Sequence, residues 1–179
     1  MRIIGGRHQR RLIRPPAGLP VRPTTDKAKE ALFNILNNYF DFTSVEVLDL
    51  FSGTGSISYE FASRGAAAVV AVENNFRCYR YIKRVKEELE LEQLQVIRAD
   101  AFAYLKSCPK TFDIIFADPP FDMAGIKDLP ETVLSSGVLS ADGWLVVEHP
   151  PDAGFERHHS FISRRKYSKV HFSIFSPGG

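Results

Sequence analysis

The sequence is 179 residues long, with 44% hydrophobic and 25% charged residues. These proportions are typical of a soluble globular protein, and the length fits one domain with a sizeable core and room for a short extension. Because no apolar segment approaches the length of a membrane span and the first residues lack the apolar core of a signal peptide, we expect a cytoplasmic protein that does not contact a membrane.

The two cysteines lack the spacing of a zinc site or a disulfide framework. Cys78 and Cys108 form no CxxC pair and have no obvious histidine partners in the sequence. We therefore expect reduced, packed thiols and no bound metal.

Positive charge is concentrated at the N-terminus, although the net charge is only +2. Residues 1–25 contain six arginines, among them Arg10, Arg11 and Arg22, and no acidic residue. An arginine-rich run can bind a phosphate backbone, whereas a lone basic tail is more often mobile and solvated. Here the arginines are interleaved with apolar residues around a turn at 5–9, which favours an ordered hairpin. We expect residues 1–22 to form a basic extension and residues 23–179 to form the main domain.

The rest of the chain alternates helices and strands. Thr24 or Thr25 can cap a helix whose apolar residues recur at 3.6-residue spacing from Ala28 to Tyr39. Strands are predicted over 45–51, 68–73, 94–98, 112–117 and 144–148, with helices after the turn at 52–56 and over 75–90, 101–107 and 126–135. Segments 160–164 and 170–175 are predicted to pair antiparallel. The pattern predicts an α/β fold with a doubly wound, mostly parallel, seven-stranded sheet that ends in an antiparallel hairpin.

A glycine turn follows the first predicted strand and begins a helix. In Asp49-Leu50-Phe51-Ser52-Gly53-Thr54-Gly55 the glycines allow a ligand to approach the backbone closely. Position 58 is serine, so the three-glycine dinucleotide fingerprint is incomplete. The turn also lacks lysine and arginine, which disfavours a nucleotide polyphosphate.

Acidic residues end the next two predicted strands. Glu73 can bind the hydroxyls of a ribose, and Asp100 can accept a hydrogen bond from an adenine amino group. Taken singly, Asp49, Glu73 and Asp100 could also be helix-capping or turn carboxylates. Together they favour an adenosine site without a phosphate cradle. The predicted cofactor-binding residues are Asp49, Phe51, Ser52, Gly53, Thr54, Gly55, Glu73, Asn74, Asp100 and Ala101.

The segment Asp118-Pro119-Pro120-Phe121 follows the fourth predicted strand, at the sheet edge where open α/β proteins bind ligands. The Asp118 carboxylate and the Pro119 carbonyl can each accept one proton of a planar NH2 group, and Phe121 offers a flat face to an aromatic ring. Two such acceptors would aim the nitrogen lone pair at an electrophile. An ordinary turn is the alternative. An adenosine cofactor without phosphates, facing such a clamp, indicates S-adenosylmethionine and methyl transfer.

The sequence resembles the bacterial small-subunit ribosomal RNA guanine-N2 methyltransferases of the RsmD type along nearly its whole length. The resemblance is carried by the start at 1–6, the stretch Arg22-Pro23-Thr24-Thr25-Asp26-Lys27-Ala28-Lys29-Glu30-Ala31-Leu32-Phe33-Asn34, the glycine turn and the Asp-Pro-Pro-Phe segment. One departure is Tyr167-Ser168, where the family often has Tyr-Gly.

This resemblance implies a class I, Rossmann-like methyltransferase that uses S-adenosylmethionine to methylate a guanine amine in 16S rRNA, free or in a 30S assembly intermediate. It implies that Asp49, Gly53, Gly55, Glu73 and Asp100 contact the cofactor, and that the segment from Asp118 to Phe121 holds the base. The N-terminal hairpin, with Arg10 and Arg11, would bind RNA, and Arg22, Thr24 and Thr25 would lie near the active site. We expect the chain to act as a monomer.

Three other functions remain open at this point. An adenine-N6 DNA methyltransferase could use the same clamp, but the chain has little room for a separate target-recognition domain. A catalytically silent rRNA-binding assembly factor would keep the fold but not catalysis, and the intact cofactor carboxylates argue against such a loss. An NAD-dependent enzyme is disfavoured by the missing glycine, and His149, just past a strand end, is more often a hydrogen-bonded structural residue than a catalytic one.

Overall fold

One mixed sheet organises the chain in the computed structural model, which describes residues 1–19, 24–151, 154–167 and 170–178. Within these ranges the strands are β1 (Glu46–Leu50), β2 (Ala68–Val72), β3 (Leu94–Ile97), β4 (Phe112–Ala117), β5 (Leu139–His149), β6 (Phe161–Tyr167) and β7 (Val170–Phe175). Their spatial order is β3-β2-β1-β4-β5-β7-β6. Strands β1 to β5 are parallel, and β7 pairs antiparallel with both β5 and β6. The predicted seven-stranded, mostly parallel sheet with an antiparallel terminal pair is confirmed.

Helices cover both faces of the sheet, as a doubly wound fold requires. They are α1 (Asp26–Leu36), α2 (Ser56–Ser63), α3 (Phe76–Glu88), α4 (Ala101–Ser107) and α5 (Leu129–Ser135), with short 3₁₀ turns at Phe42–Ser44, Ile126–Asp128 and Phe155–Arg157. The apolar sides of α1, α2 and α3 pack on one face of the sheet, and those of α4 and α5 pack on the other. The central strands β1 and β4 are therefore buried on both faces, which explains their continuous apolar runs.

Several predicted boundaries differ from the structure by a few residues, and the largest difference is at the start of strand β5. Strand β5 begins at Leu139, whereas the sequence predicted a start at 144. After the buried Leu139 its first residues are small or polar, with Ala141 and Asp142 exposed, and its pairing with β4 shifts register between Phe112 and Ile114. Gly143 lies so close to β4 that an added Cβ would be 2.9 Å from the Asp113 carbonyl oxygen. An irregular strand start of this kind has no alternating pattern to reveal it.

Helix α1 is shorter than its apolar spacing predicted. It begins after Thr25, whose side chain accepts the Ala28 N–H as the predicted cap, and it ends at Leu36. Tyr39 was predicted on the buried face, but it lies beyond the helix end, is 65% exposed and contacts Trp144. Lys29 occupies the buried face instead, because Glu60 of α2 provides a charged partner there.

The N-terminal segment packs against α2. It makes one antiparallel bridge, between Arg2 and Leu12, so the predicted hairpin is present in reduced form. The side chains of Ile3 and Ile13 enter the core. The Glu60 carboxylate accepts the backbone N–H groups of Ile4 and Gly5 at 2.9 and 2.8 Å, which fixes the segment to the sheet domain.

Candidate active site

A cavity of about 910 Å³ opens at the edge of the sheet where the parallel strands end. Residues from the β1, β2, β3 and β4 ends line it together, as the sequence predicted for this edge. The predicted residues that line it are Thr24, Thr25, Asp49, Phe51, Ser52, Gly53, Thr54, Glu73, Asn74, Asp100, Ala101, Asp118, Pro119, Pro120 and Phe121. The fold therefore brings the glycine turn, the strand-end acids and the Asp-Pro-Pro-Phe segment into one space.

The remaining predicted site residues either do not line the cavity or fall outside the described residues. Gly55 does not line the cavity, although it belongs to the turn that does. Arg10 and Arg11 are exposed on the N-terminal segment and are absent from the cavity wall. Arg22 falls outside the described residues.

The glycine turn adopts backbone angles that suit glycine. Phe51, Gly53 and Gly55 have φ values of 60°, 56° and 79°, and Gly55 is the residue before α2. A Cβ on Gly55 would lie 2.6 Å from the ring of Tyr59, so a larger residue is excluded by space as well as by conformation. Ser52 donates its hydroxyl to the carbonyl oxygens of Asp49 and Val72, which ties the turn to both strands.

Asp49 is buried under this turn. Its Oδ2 accepts a hydrogen bond from Ser58 Oγ, so the serine that breaks the three-glycine fingerprint serves as a partner for the strand-end acid. Burial raises the pKa of Asp49 to about 7, although the Ser58 hydrogen bonds oppose the rise and the nearby Glu73 charge adds to it. Asp49 is thus a carboxyl that titrates near neutral pH.

Glu73 connects the glycine turn to the start of α3. Its Oε2 accepts the Gly53 N–H and its Oε1 accepts the Asn75 N–H, both at 2.7 Å. Burial raises its pKa, and these backbone hydrogen bonds oppose the rise. Each carboxylate oxygen has a second lone pair, so Glu73 can still accept a hydroxyl from a ligand in the cavity.

Asp100 is both a helix cap and a cavity residue. Asp100 caps the N-terminus of α4, where its Oδ1 accepts the Ala103 N–H at 3.0 Å. The helix-capping role that the sequence left open is therefore filled by one carboxylate oxygen, and within the described part of the chain the other oxygen remains available. Beside it, the rings of Phe102 and Phe51 meet edge to face with centroids 6.1 Å apart. These apolar walls and the exposed carboxylate can hold a flat heteroaromatic ring that carries an amino group.

The Asp118-Pro119-Pro120-Phe121 segment forms the far wall. Burial raises the pKa of Asp118 well above its usual value, and the negative charges of Glu148 and Asp49 raise it further. Among the described residues, none donates a hydrogen bond to the Asp118 carboxylate. Phe121 is 49% exposed, so its ring face is available to a ligand. The segment can accept the protons of an amino group and stack against the ring that carries it.

Sequence reasoning missed one acidic residue in the cavity wall, Glu148 near the end of β5. It is 4% exposed, and its Oε2 accepts the Thr24 hydroxyl at 2.9 Å. Burial raises its pKa to about 7, against the effect of the Thr24 hydrogen bond. The rule that identified Glu73 and Asp100, an acid at the end of a parallel strand, applies equally to Glu148. Other lining residues that the sequence did not single out include Ile57, Phe102, Met123, Tyr167 and Val170.

His149 and the cysteines are structural residues. His149 Nδ1 lies 2.7 Å from the Pro150 carbonyl oxygen and Nε2 lies 2.8 Å from Ser173 Oγ, while burial lowers its pKa. Both cysteines are free thiols, as predicted. The structural reading of His149 is confirmed.

One group in the described part of the chain has the spacing of a metal site. Glu131, His158 and His159 bring potential ligand atoms within 4.8 Å of one another. However, His158 Nδ1 accepts the Ser160 N–H, so a neutral ring carries its proton on Nε2, which lies 3.2 Å from Glu131 Oε2. In that tautomer the Nδ1 lone pair is engaged by the Ser160 N–H and Nε2 has no free lone pair, which disfavours His158 as a metal ligand.

The chain matches the family described as Conserved hypothetical protein 95 over residues 1–176. It belongs to this family. A curated relative, the putative rRNA methyltransferase YlbH of Bacillus subtilis, is 37% identical over 153 residues, which cover 83% of this chain and 82% of the relative. Ribosomal RNA small subunit methyltransferase D of Escherichia coli K12 is 32% identical over 154 residues, 86% of this chain and 77% of that protein. The resemblance to the RsmD-type family is therefore confirmed.

A solved structure has the same architecture along nearly its whole length. This protein of Thermus thermophilus has a TM-score of 0.85 and 27% identity, and the match covers 98% of this chain and 99% of that one. Together with the methyltransferase relatives, the match shows that this chain has the class I methyltransferase fold. Among the described residues, every helix is too short or too polar to cross a lipid bilayer.

Proposed function

We propose that this chain transfers a methyl group from S-adenosylmethionine to the N2 amine of a guanine in small-subunit ribosomal RNA. The observation that carries the proposal is the single cavity that contains the glycine turn, Glu73 and Asp100 on one side and Asp118 to Phe121 on the other. The name of the Escherichia coli relative supports small-subunit rRNA as the substrate class.

The cavity fits S-adenosylmethionine in size and chemistry. Its volume of about 910 Å³ lies within the range of pockets that hold drug-sized ligands. No lysine or arginine is among its described lining residues, so its walls suit a nucleoside better than a polyphosphate. Glu73 would accept the ribose hydroxyls, Asp100 would accept the adenine amino group, and Phe51 and Phe102 would flank the ring. When bound, the cofactor supplies an activated methyl group on a sulfonium.

The Asp-Pro-Pro-Phe segment would orient the guanine amine. Asp118 and the Pro119 carbonyl accept its two protons, which favours a pyramidal nitrogen and frees its lone pair for the methyl carbon. Phe121 stacks on the base. Because the raised pKa of Asp118 also allows this carboxyl to receive a proton, the same residue can take the proton that the amine loses.

The target guanine must leave its helix to reach Asp118. A base inside an RNA duplex presents its edge to a partner and cannot enter a cavity at the sheet edge, so the substrate is an unpaired or flipped nucleotide. The half-exposed ring of Phe121 at the rim suits the capture of such a base.

The N-terminal segment would bind the RNA backbone. Arg2, Arg7, Arg10, Arg11 and Arg14 are all exposed. Glu60 holds this segment against α2, so its charges stand on a fixed surface rather than on a loose tail. Residues 1–22 would thus be the RNA-binding extension of a catalytic domain over 23–179, with Arg22 and Thr25 near its entrance. The RNA would be 16S rRNA or a 30S assembly intermediate, bound by a monomer in the cytoplasm.

Methyl transfer from labelled S-adenosylmethionine to three substrates tests the proposal. The protein is incubated separately with small ribosomal subunits, with free small-subunit rRNA and with duplex DNA. We expect label in RNA from at least one of the first two samples and none in DNA. Label in DNA alone would favour the adenine-N6 alternative, and label in no sample, with cofactor binding intact, would favour a silent assembly factor.

A further inference from the structure

Glu148 lies beside Asp118 on the same face of the sheet. The register of β4 and β5 pairs Ala117 with Val147, so Asp118 and Glu148 come next on neighbouring parallel strands. Such strands are about 4.8 Å apart, and directly paired residues point to the same face. Phe116 and Val146, two residues earlier on each strand, share one core cluster, which identifies that face as the side of α1 and α2.

One oxygen of Glu148 is available to a ligand. Its Oε2 accepts the Thr24 hydroxyl at 2.9 Å, and among the described residues Oε1 has no hydrogen-bond donor. The residue is 4% exposed, yet it lines the same cavity as Asp118. A buried acceptor beside an amine clamp needs a donor when the cavity fills, because an unpaired buried polar group is costly.

Guanine provides that donor next to its amine. On its Watson–Crick edge the ring N1–H stands beside the N2 amine, whereas adenine has a bare N1 lone pair at the corresponding place. We propose that Glu148 is the specificity-determining residue of the base site, where Oε1 accepts the guanine N1–H while Asp118 accepts a proton of the adjacent amine. This inference rests on the proposed function, since it names the base that the same cavity selects.

The protonation of the two carboxyls supports the arrangement. Burial raises the pKa of both carboxyls, and the negative charge of Glu148 raises that of Asp118 further, which places the two groups within electrostatic reach of each other. Either form of Glu148 has a carbonyl-type oxygen that can accept N1–H.

The test compares two RNA substrates that differ at the target base. One carries guanine, and the other carries 2-aminopurine, which keeps the amine but lacks the N1–H. We expect the wild-type protein to prefer guanine in kcat/KM, and Glu148→Leu to reduce that preference roughly 10- to 100-fold, the cost of leaving one buried polar group unpaired. Glu148→Gln keeps an amide oxygen and should retain most of the preference.

Thr24→Val is the matched control for a purely structural role. It removes the same Thr24–Glu148 hydrogen bond but leaves the carboxyl in the cavity. If Glu148 contacts the base, Thr24→Val keeps the guanine preference whatever its effect on turnover. If Glu148 only anchors the loop before α1, Thr24→Val and Glu148→Leu lose the preference equally, and the inference is wrong.

The wild-type protein alone provides a second criterion, which holds even if Glu148→Leu does not fold. Equal methylation of 2-aminopurine and guanine would show that nothing senses N1–H, and it would overturn the inference while leaving the amine methylation intact. Absence of guanine methylation in every RNA would overturn the proposed function and the inference with it.

Discussion

Glu60 is the buried charge on which the N-terminal segment depends. It is fully buried and receives four donors, the backbone N–H groups of Ile4 and Gly5, Arg64 Nε at 2.8 Å and Lys29 Nζ at 3.3 Å. Lys29 is itself 1% exposed, and burial lowers its pKa while Glu60 raises it. Removing the carboxylate would therefore leave an ammonium group without its counter-charge inside the protein.

Glu60→Gln should lower the free energy of unfolding by about 3–5 kcal/mol, the usual cost of removing one partner from a buried ion pair. A domain of this kind is stable by about 5–15 kcal/mol in total, so the loss is a large share of the stability. The second change Lys29→Met should restore part of it, because the buried ammonium is then gone. Urea denaturation followed by the fluorescence of the single tryptophan, Trp144, measures each value.

Glu88→Gln is the matched control. Glu88 pairs with Arg84 at 3.2 Å on the outer face of α3, where both side chains are more than half exposed. Such a pair contributes about 0.5 kcal/mol or less. If Glu60→Gln destabilised the protein no more than Glu88→Gln does, the reasoning about the buried network would be refuted.

Four further predictions concern the cavity, the glycines and the N-terminal segment. Asp118→Ala should reduce kcat about 100-fold or more while the cofactor Kd changes little. The control Asp122→Ala, at an exposed position, should leave both constants unchanged. Equal kcat values for Asp118→Ala and the wild-type protein would contradict the role of Asp118 in orienting the amine. Because the folded protein favours protonated Asp49, the free energy of unfolding should fall by about 4 kcal/mol from this group as pH rises from about 4 to about 7 and should level off above that, and Asp49→Asn should flatten the pH dependence of Tm. Gly55→Ala should lower the free energy of unfolding by about 2 kcal/mol or more. Gly137→Ala should lower it by only about 1 kcal/mol, the cost of the left-handed backbone, because Gly137 has a φ of 75° but no heavy atom within 4 Å of the added Cβ. Arg10→Glu with Arg11→Glu should weaken RNA binding and lower the slope of log K against log salt by about 1–2, and an unchanged slope would place the RNA surface elsewhere.

The strands, the helices on both faces and most of the cavity wall could be predicted from local patterns. Acids that follow apolar runs, such as Glu73, Asp100 and Asp118, lie at one edge because parallel strands all end there. The glycine turn is similarly local, since the positive φ of Gly53 and Gly55 follows from residue type.

The remaining features depend on partners distant in sequence. Glu60 appears as an ordinary helix residue until the N-terminal backbone and Lys29 are placed against it. The link from Thr24 to Glu148 likewise joins residues that only the folded sheet brings together. The irregular start of β5 arises from a register shift with β4, which no periodicity in one strand records.

The central claim is that a guanine N2 amine is methylated beside Asp118. The most direct measurement is the nucleoside mass spectrum of small-subunit rRNA after incubation with the protein and S-adenosylmethionine that carries a deuterated methyl group. We predict deuterated N2-methylguanosine with the wild-type protein and with Asp122→Ala, and its loss with Asp118→Ala. Label in a methylated adenosine, or an undiminished N2-methylguanosine signal from Asp118→Ala, would contradict the account.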